Sequence, residues 1–434
     1  MSTTPLTLSI AGQPTPITLP QVPGTRGHVG VDIRELNHSG FCSYDPGFAN
    51  TAGCQSAISW IDTENSVLLH RGYPVDQLAR QCDFLEVAYI MLRGDAPDEA
   101  SYQTFRETIT RHTLVHEQIA RMCSGFRRDS HPMALMCALV GALAAFYHDV
   151  LDVENPQHRA LAATRLLSKM PTIAAMSYKY TIEQPAAYPR NDLSYAGNFL
   201  QMLFAIPAEK YVLNPVIEQA MNQILVLHAD HGQCASTTTV RAAGSSGANL
   251  FACVAAGLAS LWGPMHGGAN ESSMRMLEEI ESVDQVPAFL RQAKRDPQAF
   301  RRLGFGNSRY RHRDPRADIL RETSHRVLAE VGMSDRLLQV AMALEDVALT
   351  DPYFVENGLS PSVDFYTAVI LKAMNLPSSM FAVVTAVGRT VGWVAHWNEM
   401  HQAPLTIYRP RQIYVGEGYR DYVSRRGERS TGPQ

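Results

Sequence analysis

The sequence lacks the features that mark nucleic-acid-binding, secreted and membrane proteins. Lys and Arg number 38 against 42 Asp and Glu, a formal net charge of −4, so no basic excess indicates a nucleic-acid partner. The N-terminus MSTTPLTLSIAG has no basic region followed by a long apolar stretch, so we expect no signal peptide. No run is interpreted as a membrane span, which needs about 20 apolar residues.

Cysteine pairs and metal-binding patterns are also missing. The seven cysteines are odd in number and scattered, without a CxxC pair, so reduced thiols in the cytoplasm fit better than a disulfide framework. They are Cys42, Cys54, Cys82, Cys123, Cys137, Cys234 and Cys253. His228 and His231, predicted to share one helical face, form an HxxH pair without a third ligand, so we expect no metal. The GFGNSR segment at 304–309 lacks the third glycine and preceding strand of a dinucleotide fingerprint, so no redox cofactor is expected.

The sequence does contain a long, mostly helical pattern with many apolar residues. Its 434 residues are 45% hydrophobic, enough for a sizeable core and for two or three domains. Short strands are predicted near the start, at Leu6–Ile10, Ile17–Leu19, Ala57–Ile61 and Val67–His70. After Asp83 the apolar pattern turns helical and is interrupted by repeated Pro and Gly breaks. The sequence therefore predicts a mainly α fold with a small β-rich region at its N-terminus.

Residues 259–270, ASLWGPMHGGAN, carry the first candidate catalytic residue. An apolar helical run ends at Gly263-Pro264, His266 follows, and a new helical run begins after Gly267-Gly268. The partial positive charge at a helix N-terminus favours the neutral imidazole over the imidazolium. A neutral His266 can donate one N–H to a carbonyl oxygen and stabilise an enolate. A capped surface histidine between two helices is the alternative interpretation of this segment taken alone.

A second candidate lies in residues 360–366, SPSVDFY. Ser360-Pro361 opens a predicted helix, and Asp364 lies in its first turn, where an acidic residue usually just complements the helix dipole. Paired in space with His266, the carboxylate can remove a proton beside a carbonyl while the imidazole stabilises the developing charge. The two segments together therefore indicate an enzyme that generates an enolate.

These segments, in this order and with this separation, resemble the citrate synthase family. The resemblance extends from the VDIRELN segment to the RPRQIY segment and includes LLHRGYPVDQLA, FRRDSHPMA, YPRNDLSYAGNFL, HADHGQCAST, AGSSGAN and RTVGWVAHW. It is strongest for the long-chain class of Gram-negative bacteria, which has an extra N-terminal β-rich region. The resemblance implies a two-domain helical fold, with a β-rich region at 1–70, a large helical domain at 71–279 and 386–434, and a small helical domain at 280–385. Closure of such domains excludes water during the reaction.

The resemblance also implies an activity and a set of binding residues. The family condenses acetyl-CoA, which is a substrate and not a cofactor, with a 2-oxo acid. Asp364 matches the base, His266 matches the donor to the thioester oxygen, and His231 matches a residue that helps hold the acid. Three arginines match those around the carboxylates of the acid, where planar guanidinium groups suit bidentate binding: Arg316, Arg389 and Arg409. The partner subunit would supply Arg409, so we expect at least a homodimer.

The sequence departs from the family pattern at the expected active site. Asn307, in GFGNSRY, stands where the family has the histidine that polarises the acceptor ketone and protonates its oxygen. An amide can donate a hydrogen bond, but it cannot supply a proton at neutral pH. Ser308 replaces the following arginine, and Thr385 stands where this class has a phenylalanine facing the reacting groups. Gly232 and Cys234 replace the glutamate and asparagine of HADHEQNAST.

Two explanations of these departures stay open. One is a non-catalytic binding paralogue, and the other is an acyltransferase, converting the acyl group to alkyl on transfer, with a changed acceptor. Retention of the candidate base, imidazole and arginines favours the enzyme. An enlarged and more basic pocket suits a phosphonate, whose three oxygens need more donors than a carboxylate. We therefore expect 3-phosphonopyruvate as the acceptor, giving 2-phosphonomethylmalate and CoA in phosphonate biosynthesis. Ordinary citrate synthase or 2-methylcitrate synthase activity is the alternative.

The resemblance suggests a possible regulatory nucleotide site. Members of the Gram-negative class often bind NADH allosterically and form hexamers. The residues that match that site are Arg111, His112, Tyr147, Arg165 and Lys169. Salt bridges on helix surfaces explain the same residues equally well, and the sequence leaves open both NADH regulation and the choice between dimer and hexamer.

Overall fold

The computed structural model describes residues 4–12, 15–295, 304–306, 310, 313–332 and 335–422. The chain divides into two units, each with its own set of internal contacts. The first unit comprises Met1–Pro23, Val29–Ala52 and Tyr408–Gln434, and the second comprises Gly24–His28 and Gly53–Ile407.

The first unit contains short antiparallel strand pairs. β1 (Leu6–Leu8) pairs with β2 (Ile17–Leu19), and β3 (Gln21–Val22) pairs with β4 (Gly30–Val31). Both strands predicted here are confirmed, although β1 ends two residues earlier than expected. The chain turns directly after it, where Gly12 has a φ of 84°, a conformation that glycine adopts without steric cost.

The second unit begins with a small sheet. β5 (Ser59–Asp62), β6 (Val67–His70) and β7 (Tyr73–Pro74) form an antiparallel sheet in that order. The last two predicted strands are therefore confirmed, with β5 shifted slightly toward the C-terminus. The strands expected within residues 1–70 are divided between the two units, and the domain boundaries at 280 and 385 stay a prediction.

Helices make up most of the second unit. In chain order they are α1 (Val75–Gln81), α2 (Phe84–Arg93), α3 (Glu99–Thr110), α4 (Glu117–Met122), α5 (Pro132–Phe146), α6 (Pro156–Thr181), α7 (Tyr195–Phe204), α8 (Pro215–Leu227), α9 (Ala235–Gly244), α10 (Leu250–Leu261), α11 (Ala269–Glu279), α12 (Val286–Ala293), α13 (Pro315–Val331), α14 (Arg336–Thr350), α15 (Pro352–Glu356), α16 (Val363–Ala373) and α17 (Phe381–Met400). The mainly α fold expected from the sequence is confirmed.

Local sequence sets where many of these helices begin. Asp83 accepts a hydrogen bond from the backbone of Glu86 at the start of α2, and Asn249 accepts one from Ala252 at the start of α10. Ser362 caps α16 in the same way. Each cap satisfies an amide that has no partner inside its helix, which stabilises the helix by about 1 kcal/mol.

Helix α17 lies in the core of the second unit. Every residue from Phe381 to Trp397 is buried. The segment Ser378–Met400 is long and apolar enough to cross a membrane by length and composition alone, yet 89% of its apolar window is buried inside the protein. Packing against other helices therefore accounts for its apolar composition.

Two glycines allow α17 to lie against the end of α8. A Cβ at Gly388 would lie 2.8 Å from the Leu225 carbonyl oxygen, and one at Gly392 would lie 2.4 Å from the Ala229 carbonyl oxygen. Real Cβ atoms do not approach other atoms so closely, so both positions require glycine. The close packing brings Arg389, between these glycines, against the turn that follows α8.

Candidate active site

A tight glycine turn fixes the backbone of His266. After α10, the Gly267 amide donates to the Leu261 carbonyl at 2.8 Å, and a Cβ on Gly267 would lie 2.7 Å from that same oxygen. A Cβ on Gly268 would lie 2.9 Å from the Cα of Pro264. Because no side chain fits at either glycine, the turn holds His266 in one place between α10 and α11.

The His266 ring contacts the first turn of α9. Its Nε2 atom accepts from the Ser236 backbone amide at 3.3 Å and lies 2.8 Å from the Ser236 hydroxyl. A backbone N–H can only donate, so the neutral ring carries its proton on Nδ1. The ring therefore presents an N–H donor opposite α9. The sequence predicts a helix N-terminus beside this histidine, and the N-terminus that contacts the ring is that of α9.

Asp364 lies in the first turn of α16, as predicted from SPSVDFY. The Ser362 hydroxyl accepts from the Asp364 backbone amide at 3.2 Å. Burial raises the pKa of the Asp364 carboxyl to about 6, with a further contribution from Asp314, and the guanidinium groups of Arg316 and Arg389 are among the groups that oppose this rise. A carboxylate with a pKa near neutrality is well matched to removing a proton from carbon.

The structure places Arg316 close enough to Asp364 for its charge to act on the Asp364 carboxyl. The Arg316 guanidinium is buried and makes two bonds to Asp314, at 2.9 Å from Nε and 2.7 Å from Nη2. Burial disfavours its charged form, but the Asp314 carboxylate outweighs that effect and raises the pKa of Arg316 above its ordinary value. The third contact is to the Leu227 carbonyl at 3.3 Å, so Arg316 is held rigidly as a cation.

Arg389 is the second buried guanidinium at the site. Its Nε donates to the His228 carbonyl at 2.8 Å, and its Nη1 donates to the Cys234 sulfur at 3.0 Å. The sequence marks Cys234 only as a departure from HADHEQNAST and gives it no role. In the structure this thiol lies directly before α9, 3.3 Å from the Thr237 hydroxyl, and joins the group of residues around His266. A cysteine preceding a helix is the signal that could have identified it.

His231 lies in a turn, because α8 ends at Leu227. Its Nε2 atom lies 3.1 Å from the hydroxyl of Tyr310. The prediction that His228 and His231 share one helical face is wrong, since His228 is the C-cap that follows α8 and His231 lies beyond it. Burial, with Arg316 adding to its effect, lowers the pKa of His228 to about 3, so His228 is a neutral packed residue.

The turn that carries His231 is held by the buried carboxylate of Asp230. This carboxylate accepts from the Gly232 amide at 2.8 Å and lies 3.4 Å from Nε2 of His396. Burial alone would raise the pKa of Asp230, but its contacts with His396 and the nearby His70 bring it below the ordinary value. The ionised carboxylate therefore fixes the backbone on either side of His231.

The Thr385 side chain lies beside Asn270 in the interior of the protein. Its hydroxyl is buried and lies 3.2 Å from the Asn270 amide and 3.2 Å from the Phe381 carbonyl. The sequence predicts that this hydroxyl adds to the acceptor pocket, whereas the structure gives it partners within the protein.

Asn307 and Ser308 lie outside the described residues. The residues before them are placed: the Gly306 amide donates to the Ser360 carbonyl at 2.7 Å, and the Ser362 amide donates to the Gly304 carbonyl at 3.0 Å. The described start of this loop therefore pairs with the segment that leads into the helix of Asp364.

Arg409 belongs to the first unit, where it is exposed. Its predicted role at the active site of a partner subunit stays a prediction. Within the part of the chain that the structure describes, no group of three His, Cys, Asp or Glu side chains is placed to hold a metal ion.

Part of the predicted nucleotide site forms one cluster. The Arg165 guanidinium lies 4.6 Å from the centre of the Tyr147 ring and bonds to Asp149 at 2.9 Å. Lys169 lies 5.3 Å from the same ring and donates to two backbone carbonyls, one of them that of His112. Burial, with the charge of Arg165, lowers the pKa of Lys169 to about 8.

Arg111, the remaining residue of the predicted nucleotide site, pairs with Glu107 at 3.2 Å on the surface of α3. Internal partners therefore account for the charges of this set, and regulation by a nucleotide stays a prediction.

Comparisons with known proteins agree with this geometry. The family model described as citrate synthase, C-terminal domain, matches residues 47–411. The citrate synthase of Pyrobaculum aerophilum is 31% identical with a TM-score of 0.81, and the match covers 88% of this chain and 94% of that one. A Thermoplasma acidophilum citrate synthase, solved as a ternary complex with carboxymethyl coenzyme A and oxaloacetate, is 26% identical with a TM-score of 0.79, covering 88% and 99% of the two chains.

The citrate synthase of Thermotoga maritima is 28% identical with a TM-score of 0.74, and this match also covers 88% of this chain and 99% of that one. The family model spans most of the chain and includes the segments of His266 and Asp364. This protein therefore belongs to the citrate synthase family and is an acyl-transferring enzyme.

Proposed function

We propose that the enzyme condenses acetyl-CoA with a 2-oxo acid that carries a second anionic group. The observation that carries this proposal is the placement of a carboxyl group with a raised pKa, Asp364, among His266, Arg316 and Arg389. Such a group can accept a proton from a carbon acid near neutral pH. Arg316 and Arg389 are the buried guanidinium groups that an anionic acid would bind, in competition with their present contacts to Asp314 and Cys234.

The chemistry follows from these positions. Asp364 removes a proton from the acetyl methyl group, and the Nδ1–H of His266 donates to the thioester oxygen as the enolate forms. The enolate carbon attacks the ketone carbon of the acid, which forms the new C–C bond and an alkoxide. From the match to the family, Asn307 and His231 are the expected hydrogen-bond donors to that oxygen. The alkoxide then takes up a proton from solvent, and Asp364 releases the methyl proton to solvent. Water then cleaves the thioester and releases CoA. No cofactor takes part in this scheme, because acetyl-CoA is a substrate.

For the acceptor we propose 3-phosphonopyruvate, which would give 2-phosphonomethylmalate. The support comes from Asn307 and Ser308, which replace the histidine and arginine usual at these positions. The hydroxyl of Thr385 gives less support than the sequence suggests, because it lies 3.2 Å from both the Asn270 amide and the Phe381 carbonyl, within the protein. Oxaloacetate, the acceptor in ordinary citrate synthesis, fits the same two arginines equally well.

We further propose a cytoplasmic homodimer. The support is the match of Arg409 to a residue that the family supplies from the partner subunit. Assembly of three dimers and regulation by NADH at the Tyr147 cluster remain secondary proposals, tested by the mass of the assembly and by nucleotide titration.

The test is a comparison of acceptors with the purified protein. CoA release from acetyl-CoA is followed by a thiol reagent with 3-phosphonopyruvate and with oxaloacetate, and each product is identified by mass spectrometry. We expect faster release and a phosphonate product with 3-phosphonopyruvate. Propionyl-CoA with oxaloacetate tests the 2-methylcitrate alternative in the same assay.

Each other outcome has a definite meaning. Equal or faster turnover with oxaloacetate would establish an ordinary citrate synthase. Absence of turnover with every pair, together with measurable binding of acetyl-CoA by calorimetry, would establish a non-catalytic paralogue. The Asp364→Asn variant is the control for CoA release that does not depend on the active site.

A further inference from the structure

We propose that Thr385 is a positioning residue that acts through the Asn270 amide to orient the carboxylate of Asp364. The inference rests on the proposed function, because it concerns the base of that reaction. Three helices meet at this point, with Asn270 near the start of α11, Asp364 near the start of α16 and Thr385 near the start of α17. Asn270 is fully buried and Thr385 is 4% exposed, so solvent does not supply the contacts between them.

The orientation of the Asn270 amide is set by Asp364. With its nitrogen toward the base, the amide donates to Oδ1 of Asp364 at 2.7 Å and to the Asp364 carbonyl oxygen at 3.1 Å. The opposite orientation would place the amide oxygen against both of these oxygens, which repel it when the carboxylate is ionised. Two acceptors on one residue therefore fix which end of the amide faces the base.

Once the nitrogen faces Asp364, the amide oxygen needs a donor on its other side. The Thr385 hydroxyl supplies it at 3.2 Å. A buried amide oxygen without a donor is costly, so loss of this hydroxyl favours rotation of the amide away from its present orientation. A phenylalanine, which this class usually has at the position, offers no donor. The relay of Thr385, Asn270 and Asp364 therefore depends on a hydroxyl at position 385.

The relay affects the proton affinity of the base as well as its direction. A hydrogen bond donated to the ionised carboxylate stabilises that form and holds the pKa down against the effect of burial. The charged and titratable groups that face this carboxyl are Arg316 and Asp314 at the start of α13, His266 before α11, and Arg389 on α17.

Glu345, the buried carboxylate of α14, is paired instead with Arg321 and Tyr366. None of the groups that act on Asp364 changes when Thr385 loses its hydroxyl. A change in the titration of Asp364 would therefore report the relay.

The alternative is that the Thr385 hydroxyl only stabilises α17. The Thr385 hydroxyl can donate to the Phe381 carbonyl one turn earlier, as buried threonines in helices often do. Thr390, on the same helix, makes the equivalent bond to Ala386 at 2.7 Å and is also fully buried. It lies five residues further along, on a different side of α17. Thr390→Val is therefore the matched control for loss of a buried helix hydroxyl.

The experiment measures the base directly. The protein is labelled with ¹³C at the aspartate carboxyl carbons, and the Asp364 resonance is assigned by its loss in Asp364→Asn. The Asp364 resonance is then followed as a function of pH in the wild type, Thr385→Val, Thr385→Ser and Thr390→Val. The pH dependence of kcat/KM is measured for the same proteins over the same range. The NMR titration needs no turnover, so it separates failure of this proposal from failure of the proposed reaction.

We expect Thr385→Val to raise the Asp364 midpoint by roughly half a pH unit or more and to move the acidic limb of kcat/KM by the same amount. Thr385→Ser restores the donor and should return both to the wild-type position, and Thr390→Val should leave both unchanged. An Asp364 midpoint in Thr385→Val that coincides with those of the wild type and Thr390→Val would overturn the proposal. An equal shift of the Asp364 midpoint in Thr385→Val and Thr390→Val would show that the shift comes from general loosening of α17, and this result would also overturn the proposal.

Discussion

The sulfur of Cys234 lies 3.0 Å from Nη1 of Arg389. Both side chains are buried, and a buried guanidinium needs a nearby anion. Burial alone would raise the pKa of the Cys234 thiol, but the charge of Arg389 lowers it well below its ordinary value. The contact with the guanidinium therefore favours the thiolate form of Cys234, beside the base and the imidazole of the site.

We expect the Cys234 thiolate to be visible at neutral pH. The ultraviolet thiolate absorbance of the wild type should exceed that of Cys234→Ser at pH 7, because the charge of Arg389 favours the ionised sulfur. Cys253→Ser is the matched control, since burial raises the pKa of the Cys253 thiol to about 12 and removing it should change nothing. Equal absorbance of the wild type and Cys234→Ser at pH 7 would show that Cys234 is a neutral thiol.

Asp364→Asn should nearly abolish catalysis. The amide keeps the shape of the carboxyl group but cannot accept the methyl proton, and a general base contributes about 10²- to 10⁴-fold. CoA release measures the loss, while calorimetric binding of acetyl-CoA and the melting curve show that the fold is intact. A decrease of less than tenfold, about 1.4 kcal/mol of barrier, would mean that Asp364 is not the base.

The same substitution should stabilise the protein, in a pH-dependent way. Burial raises the pKa of Asp364 from 3.8 to about 6, so the folded state binds this proton more tightly than the unfolded chain does. The stability that the protonated group contributes is complete below pH 3.8 and is lost as pH rises through about 6.

Asp364→Asn, which mimics the protonated form, should match the wild type at the acid end of this window. Above pH 6 it should exceed the wild type by about 2–3 kcal/mol. Urea denaturation of both proteins across the window measures the difference, and a constant difference at every pH would contradict the raised pKa.

Asn307→His tests whether the departures at the active site act together. If Asn307 serves a different acceptor, the larger imidazole should lower turnover of 3-phosphonopyruvate without restoring citrate formation. Citrate formation should then also require Ser308→Arg and Thr385→Phe, because neighbouring substitutions rarely add independently. The three variants and their combination are compared by CoA release with each acceptor. Full citrate synthase activity from the single change would rule out this coupling.

Much of the fold could be predicted from local sequence. Short strands were predicted at the observed bounds of β2 and β6, and the Pro and Gly breaks located the turns around His266 and before Asp364. These features depend on residues close together in the chain. The division of the strands between two units could not be predicted in this way, because it depends on which distant segments each strand contacts.

The candidate site was predicted less completely. His266, Asp364, Arg316 and Arg389 were identified, and the structure brings them together within the second unit. The contacts of Cys234 and Asn270 at the site were missed, because the partners of a thiol and an amide depend on distant parts of the chain. Asn270 lies in the sequence four residues from His266, yet its partners come from α16 and α17.

The sequence by itself determined the helical class, the helix starts and the residue types available for chemistry. Caps, glycines and apolar spacing act over a few residues, and the chain carries that information locally. The tertiary structure alone decided which nitrogen of His266 carries the proton, because an amide of Ser236, 30 residues away, occupies the other one. It also decided that Asp364 has a pKa of about 6, since that value depends on burial and on charges from several helices. Proton affinity and tautomer are properties of an environment, and only the folded chain creates that environment.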